Sequence, residues 1–205
     1  MKISIVITGE EHYKYSQEIC ETIESSALLR GTGIAKRTPA YIQKKMEHKD
    51  AIIALDNGKF AGFCYIESWQ HGKFVAHSGL IVHPDYRNLG LAKQIKSKVF
   101  DYSLEKYPDA KVFGITTGMA VMKINSDLGY KPVPFSELTT DPSFWAGCKT
   151  CTNYEILKSK ENKLCLCTGM LYDPKEKPKD PPKHPFNVRI WNRLKEIKQA
   201  LFLKK

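Results

Sequence analysis

One stretch constrains the fold more than any other: Leu80-Ile-Val-His-Pro-Asp-Tyr-Arg-Asn-Leu-Gly-Leu-Ala92. An apolar run of strand character ends in a proline turn, and helical spacing begins near Leu89. Gly90 and Ala92 let a ligand come close to the backbone at that junction. The first amides of a helix have no internal partner and carry partial positive charge. Arg87, Asn88, Leu89, Gly90, Leu91 and Ala92 are therefore a candidate anion seat, with Arg87 placed to add charge at its rim. The plainer alternative is a tight turn with no ligand. The order of the surrounding elements and a second motif downstream favour the anion seat.

Periodicity places the rest. Residues 2–8 alternate around Ile3, Ile5 and Ile7 as a strand, and residues 10–29 show helical spacing through Tyr15, Ile19, Ile23 and Leu28. Thr38-Pro39 caps and starts a helix over 40–46. Strands follow at 50–55, 59–68 and 73–82, the first two joined by the hairpin signal Asp56-Asn57-Gly58. A helix over 89–106, a buried-looking strand at 111–117, a helix over 119–128 and an extended segment at 130–138 complete the order. That order predicts an α/β fold with a mixed sheet.

The chain has 205 residues and is 42% hydrophobic, enough for one core with an appendage. It has no run of 18 apolar residues, so no membrane span is expected. The N-terminus reads as a first strand rather than a signal peptide, and a cytoplasmic location is the default expectation. The net charge of +10 invites a nucleic-acid reading, but residues 173–205 carry ten Lys/Arg against four Asp/Glu, which is +6 of that total. The remaining body is mildly basic, which suits anionic small ligands. Residues 173–185 form a Pro/Lys-rich linker, and 186–205 a basic amphipathic helix with Ile190, Leu194, Ile197 and Leu201 in a stripe. Packing on the body or forming a homodimer is the preferred use of that stripe, and no membrane partner is expected.

The pattern Val82-x-Pro84-x-Tyr86-Arg87-x-x-Gly90-x-Ala92 after a strand resembles the acyl-CoA motif of the GNAT superfamily of N-acyltransferases, and the similarity covers about residues 1–138. The resemblance implies a central mixed, mostly antiparallel twisted sheet flanked by helices. It implies that the amides of 87–92 hold the pyrophosphate of coenzyme A. It implies that the preceding strand, splayed at a bulge, binds the pantetheine arm through the backbone of Ile81 and Val82. The second motif spans residues 117–130. The family typically has a tyrosine four residues before a Gly-aromatic pair, where it often protonates the departing thiolate. Gly129-Tyr130 match the pair, and Asn125 stands in the tyrosine's place. Asparagine is no general acid, though it can hydrogen-bond pantetheine or sulfur.

The chemistry implied by the resemblance needs a neutral amine, so an ammonium must first lose a proton. Glu67, at a strand end beside Ser68-Trp69, and His77 on the next strand are candidate bases. The plainer readings are a solvated edge carboxylate and a structural histidine. Arg30-Gly-Thr-Gly-Ile-Ala-Lys-Arg37 breaks the chain between the first helices. Arg30, Lys36 and Arg37 are candidates to bind a substrate carboxylate, against the alternative of cations kept for solubility. Residues 30–37, 64–74, 116–130 and 165–174 together resemble a bacterial GNAT subgroup associated with arginine biosynthesis and thought to be N-acylglutamate synthases, acetyl or succinyl. That implies acetyl-CoA or succinyl-CoA as cosubstrate and glutamate as the small-molecule amine. The alternatives are a GNAT enzyme acting on a polyamine, aminoglycoside or protein lysine, and a zinc-containing nucleic-acid-binding protein.

Four of six cysteines fall close together: Cys148-x-x-Cys151 and Cys165-x-Cys167. In a chain without a secretion signal such clustering favours metal over disulfides. With residues 153–157 read as a strand, a small hairpin would join the pairs into a structural zinc site in an extension, 146–172, packed on a catalytic domain of 1–145. The plainer alternative is four reduced thiols against the core.

Overall fold

Alternation along the strands sends successive side chains to opposite faces, and the packing follows it. A computed structural model of the protein describes residues 2–30 and 35–176. In chain order the strands are β1 Ile3–Ile7, β2 Ala51–Asp56, β3 Lys59–Trp69, β4 Phe74–Val82, β5 Lys111–Thr116, β6 Lys131–Val133 and β7 Thr168–Tyr172. The helices are α1 Ser16–Arg30, α2 Pro39–Glu47, α3 Leu91–Lys106, α4 Met119–Asp127, α5 Pro142–Ala146 and α6 Tyr154–Ser159.

Ile52, Ala54, Cys64, Ile66 and Val75 lie on one face of the sheet against Leu91, Ile95, Val99 and Phe100 of α3. Ala51, Ile53, Phe63 and Tyr65 lie on the other, against Ile19 and Ile23 of α1 and Ile42 and Met46 of α2. Each large apolar side chain buried this way contributes about 1.5–3 kcal/mol, so packing rather than propensity holds these helices in place. α2 begins as its sequence requires: the Thr38 side chain accepts from the Tyr41 amide, and Pro39 occupies the first turn. The helical spacing that starts at residue 10 is first realised as a tighter 3-10 segment, Glu10–Tyr15, with the Gly9 amide donating to His12 Nδ1.

The seven strands form one sheet in the order β1-β2-β3-β4-β5-β7-β6. Only β4 and β5 run parallel; the other neighbours are antiparallel. The expected mixed, mostly antiparallel sheet flanked by helices is the one found. Two features of β4 shape the site. Tyr65 pairs with Ser78 while Phe63 pairs with Ile81, so two steps on β3 match three on β4. This bulge changes the facing of β4: Val75 and His77 point to α3, and beyond it Ile81 points to α1 and α2. The second feature is where pairing stops. β4 meets β5 only over Phe74–Ala76, opposite Lys111–Phe113. From His77 and Gly114 onward the two strands part, and β5 continues against β7 alone.

The C-terminal part corrects the expectation. Residues 153–157 are not a strand: Tyr154–Ser159 is helical. The strand lies later, at Thr168–Tyr172, and inserts between β5 and β6. Its Gly169, Met170 and Leu171 are buried, and a side chain at Gly169 would collide with the Val133 carbonyl. The Cys-rich residues are thus not set apart as an extension, because their chain ends inside the main sheet. β6 is only three residues long, and its Pro132 has no N–H for the ladder. The tail from 177, with its expected linker and amphipathic helix, lies outside the described residues.

Candidate active site

The parting of β4 from β5 opens a cavity of about 770 Å³. Ser78, Gly79 and Leu80 of β4 form one wall, and Gly114, Ile115 and Thr116 of β5 the other. Here the backbone of β4 has no neighbour strand on its β5 side, so its polar groups are open to a ligand. Gly79 makes the bulge possible. Its φ is +64°, and a Cβ there would sit 2.6 Å from the Tyr65 ring. Ile81 and Val82, which the sequence pointed to for the pantetheine arm, do not line the cavity. They are buried and pair with Phe63 and Gly62. The open stretch lies just before them.

The candidate anion seat of the sequence falls at the junction of β4 and α3. Gly90 is the N-cap of α3 with φ +73°, and no side chain caps the helix. Its first amides therefore remain available to an anion. Asn88, with φ +62°, bends the chain just ahead. Arg87 is committed elsewhere: Nη2 donates to Ser26 Oγ at 2.7 Å and Nε to the Val82 carbonyl at 3.3 Å. It ties α1 to the end of β4, so the seat at 88–92 rests on backbone amides.

On the α3 side of the parted strands lies a buried polar group. His77 Nε2 is 2.8 Å from Ser103 Oγ, which itself donates to the Val99 carbonyl. Ser103 must then accept from His77, which places the ring proton on Nε2. Nδ1 is left as acceptor for Lys96 Nζ at 2.8 Å and Tyr130 Oη at 3.1 Å. Burial, and then the Lys96 charge, hold His77 well below its usual range. Both nitrogens are engaged and the ring is kept neutral, so His77 is a positioned member of a network rather than a free base. Asn125, 1% exposed, lines the same cavity, and its Oδ1 has no hydrogen-bond partner. An orphaned buried acceptor is costly and fits a ligand donor such as a pantetheine amide.

Another part of the lining comes from residues 35–38, α2 and β3. Arg37 Nε donates to Tyr65 Oη, and Nη1 donates to the carbonyls of Ala35 and Lys36. The guanidinium also lies 5.8 Å and 5.7 Å from the rings of Tyr41 and Tyr65. The Lys36 amide donates to Thr150 Oγ1, fixing this segment to the cysteine region. Glu67 accepts from Tyr41 Oη and pairs with Lys45 at 3.2 Å. Burial, then Tyr65 and Glu67, raise the Tyr41 hydroxyl far above its usual value, so it stays a donor. The structure thus brings Lys36, Arg37, Glu67, His77 and Asn125 to one cavity. Of Arg30 it describes the backbone only. Sequence reasoning missed Tyr41, Tyr65, Lys45 and Lys96. Of these, only Lys96 carried a signal, as a lysine on the otherwise apolar face of a helix.

The four clustered cysteines also reach this cavity. Burial, then mutual repulsion, push Cys148 up to about 11 and Cys167 up to about 12. Among the described residues no group of three or more His, Cys, Asp or Glu is arranged to hold a metal, and all four are free cysteines. The expected zinc site is not supported, and the segment expected as its hairpin strand is the helix α6.

The family profile described as Acetyltransferase (GNAT) family matches residues 20–120, from α1 through β4 and α3 into α4. The chain belongs to the GNAT family. It is an acyl-CoA-dependent N-acetyltransferase of that family. Solved structures agree on the fold. N-acetylglutamate synthase from Neisseria gonorrhoeae, complexed with coenzyme A and N-acetyl-glutamate, has a TM-score of 0.62 at 11% identity, over 86% of this chain. This chain spans only 36% of that protein. A GNAT-family acetyltransferase from Staphylococcus aureus Mu50 has a TM-score of 0.59 at 18% identity, covering 85% of this chain and all of that one. Diaminobutyrate acetyltransferase from Paenibacillus lautus, in complex with L-2,4-diaminobutyric acid and coenzyme A, has 0.57 at 9% identity, over 87% and 99%. No curated protein sequence matches the chain.

Proposed function

We propose that this GNAT protein transfers an acetyl or succinyl group from coenzyme A to the amine of a small acidic amino acid, with glutamate as the first candidate and arginine biosynthesis as the setting. The observation that carries the reading is Arg37. Tyr65 and two carbonyls fix its guanidinium in the cavity wall, and Nη2 has no partner among the described residues. A fixed, partly unsatisfied guanidinium is a carboxylate receptor. Lys36 beside it pairs with Glu24 at 3.3 Å, so it is Arg37 that favours an anionic group over a polyamine or a protein lysine.

In this reading the acyl-CoA pyrophosphate rests on the amides of 88–92, and the pantetheine arm lies along Ser78–Leu80 and reaches Asn125. Glu67, held by Tyr41 and Lys45, takes the proton from the incoming ammonium, directly or through water. A free backbone amide of the open β4 edge faces the oxyanion. The test is acceptor preference with acetyl-CoA and succinyl-CoA. L-Glutamate should exceed L-glutamine, which lacks the side-chain charge, by roughly tenfold or more in kcat/KM. A preference for spermidine over glutamate would overturn the acidic-acceptor reading.

A further inference from the structure

One charge in the cavity lining is used by none of the roles above. Lys96 lies on the buried face of α3, between core positions Ile95 and Val99, and is 2% exposed. It lines the cavity together with His77, Ser78, Gly114 and Asn125. Its neighbours are His77 Nδ1 from β4 at 2.8 Å, the Tyr130 ring at 5.1 Å, and the Cys64 thiol of β3. No carboxylate among the described residues pairs with it.

A cation buried without an anion is costly. That cost is offset where an anion develops beside the cation during reaction. Transfer from a thioester creates such an anion when the C–S bond breaks and its electron pair stays on sulfur. Asn125 has no acidic proton to give, and Tyr130 and Cys64 do not line the cavity.

We propose that Lys96 is the acid that protonates coenzyme A as it leaves, with His77 as the positioning residue that aims it. The proposal rests on the acyl-transfer reading of the same cavity. The atoms balance. The first proton of the ammonium passes through Glu67 to solvent, and the neutral amine then forms the C–N bond and gives a second proton to Glu67. The C–S electron pair leaves on sulfur, which takes a proton from the Lys96 ammonium. Lys96 regains a proton from solvent through the open cavity, and the products are an amide and a thiol. Burial lowers Lys96 to about 8, which makes it a far better donor than an ordinary lysine. The His77 tautomer fixed by Ser103 leaves Nδ1 with a lone pair that accepts from Lys96 Nζ, and so fixes the direction of the other ammonium protons.

The test needs no acceptor. Coenzyme A is bound to the wild-type protein and to Lys96→Met, with binding followed by calorimetry, and the bound thiol is titrated by the ultraviolet absorbance of its thiolate. Beside an ammonium the thiol should titrate roughly one pH unit or more below that of Lys96→Met. Identical titrations with coenzyme A bound to both proteins overturn the role of Lys96 and leave the acyl-transfer reading standing. Failure of the wild-type protein to bind coenzyme A overturns both. Lys96→Met removes a buried charge, so it should melt no lower than wild type. A second variant, Lys96→Gln, should also lose the depressed titration, and a depressed titration retained in it overturns the proposal.

Discussion

At the scale of single residues, the account rests on where charges sit. Arg37→Gln should raise KM for L-glutamate roughly 10- to 100-fold, the range expected for a lost charged hydrogen bond, with a smaller effect on kcat. A steady-state comparison checks this, and a loss confined to kcat would argue against carboxylate binding. Lys96 gives a pH signature in the rate. Its acid form is the donor, so kcat should fall as pH rises through about 8, and Lys96→Met should lack that limb. His77 gives a signature in stability. Its folded form binds a proton less readily than the unfolded chain, whose ordinary value is 6.5. Below about 6.5 the unfolded state takes up the proton first, so stability falls as pH falls through that window. His77→Gln should flatten that part of the melting profile. Arg37 and Glu67 were legible only as candidates, because charged residues at a broken helix and at a strand end suit a cleft lip and a solvated edge equally well. Tyr41 and Tyr65 were not legible, because at helical and strand spacing they read as core, and their hydroxyls matter only once α2 lies over β3.

At the scale of elements, the bulge of β4 and its separation from β5 create the site. Gly79→Ala forces a side chain against the Tyr65 ring at positive φ. It should cost about 1–3 kcal/mol in stability. It should also weaken acetyl-CoA binding, since the open β4 edge would shift. Denaturant unfolding and calorimetric titration read the two effects, and unchanged affinity would separate the bulge from the cosubstrate. The strand-turn-helix junction at 80–92 was legible because proline, glycine and the onset of helical spacing coincide. The point at which β4 and β5 part was not, because periodicity describes each strand and not its neighbour. β7 escaped for a related reason. Its short run follows the cysteines directly, and only the pairing of Thr168–Tyr172 with both β5 and β6 reveals it.

At the scale of the molecule, every residue lining the cavity lies between Ala35 and Cys167, whereas much of the net charge of +10 lies beyond residue 173. Removing residues 177–205 should therefore leave acyl transfer within about twofold while lowering any salt-sensitive binding to nucleic acid. Loss of transfer in the shortened protein would show that the tail completes the site. The mixed sheet followed from the order of elements along the chain, but the cavity also needs long-range contacts between residues 35–41 and 143–167, which no local pattern encodes. The most direct test of the whole account is release of coenzyme A thiol from acetyl-CoA and from succinyl-CoA, each with and without L-glutamate. The account predicts glutamate-dependent release from one of the two donors, with the matching N-acylglutamate as product. Release from neither donor, with glutamate or with any other amine, would contradict it.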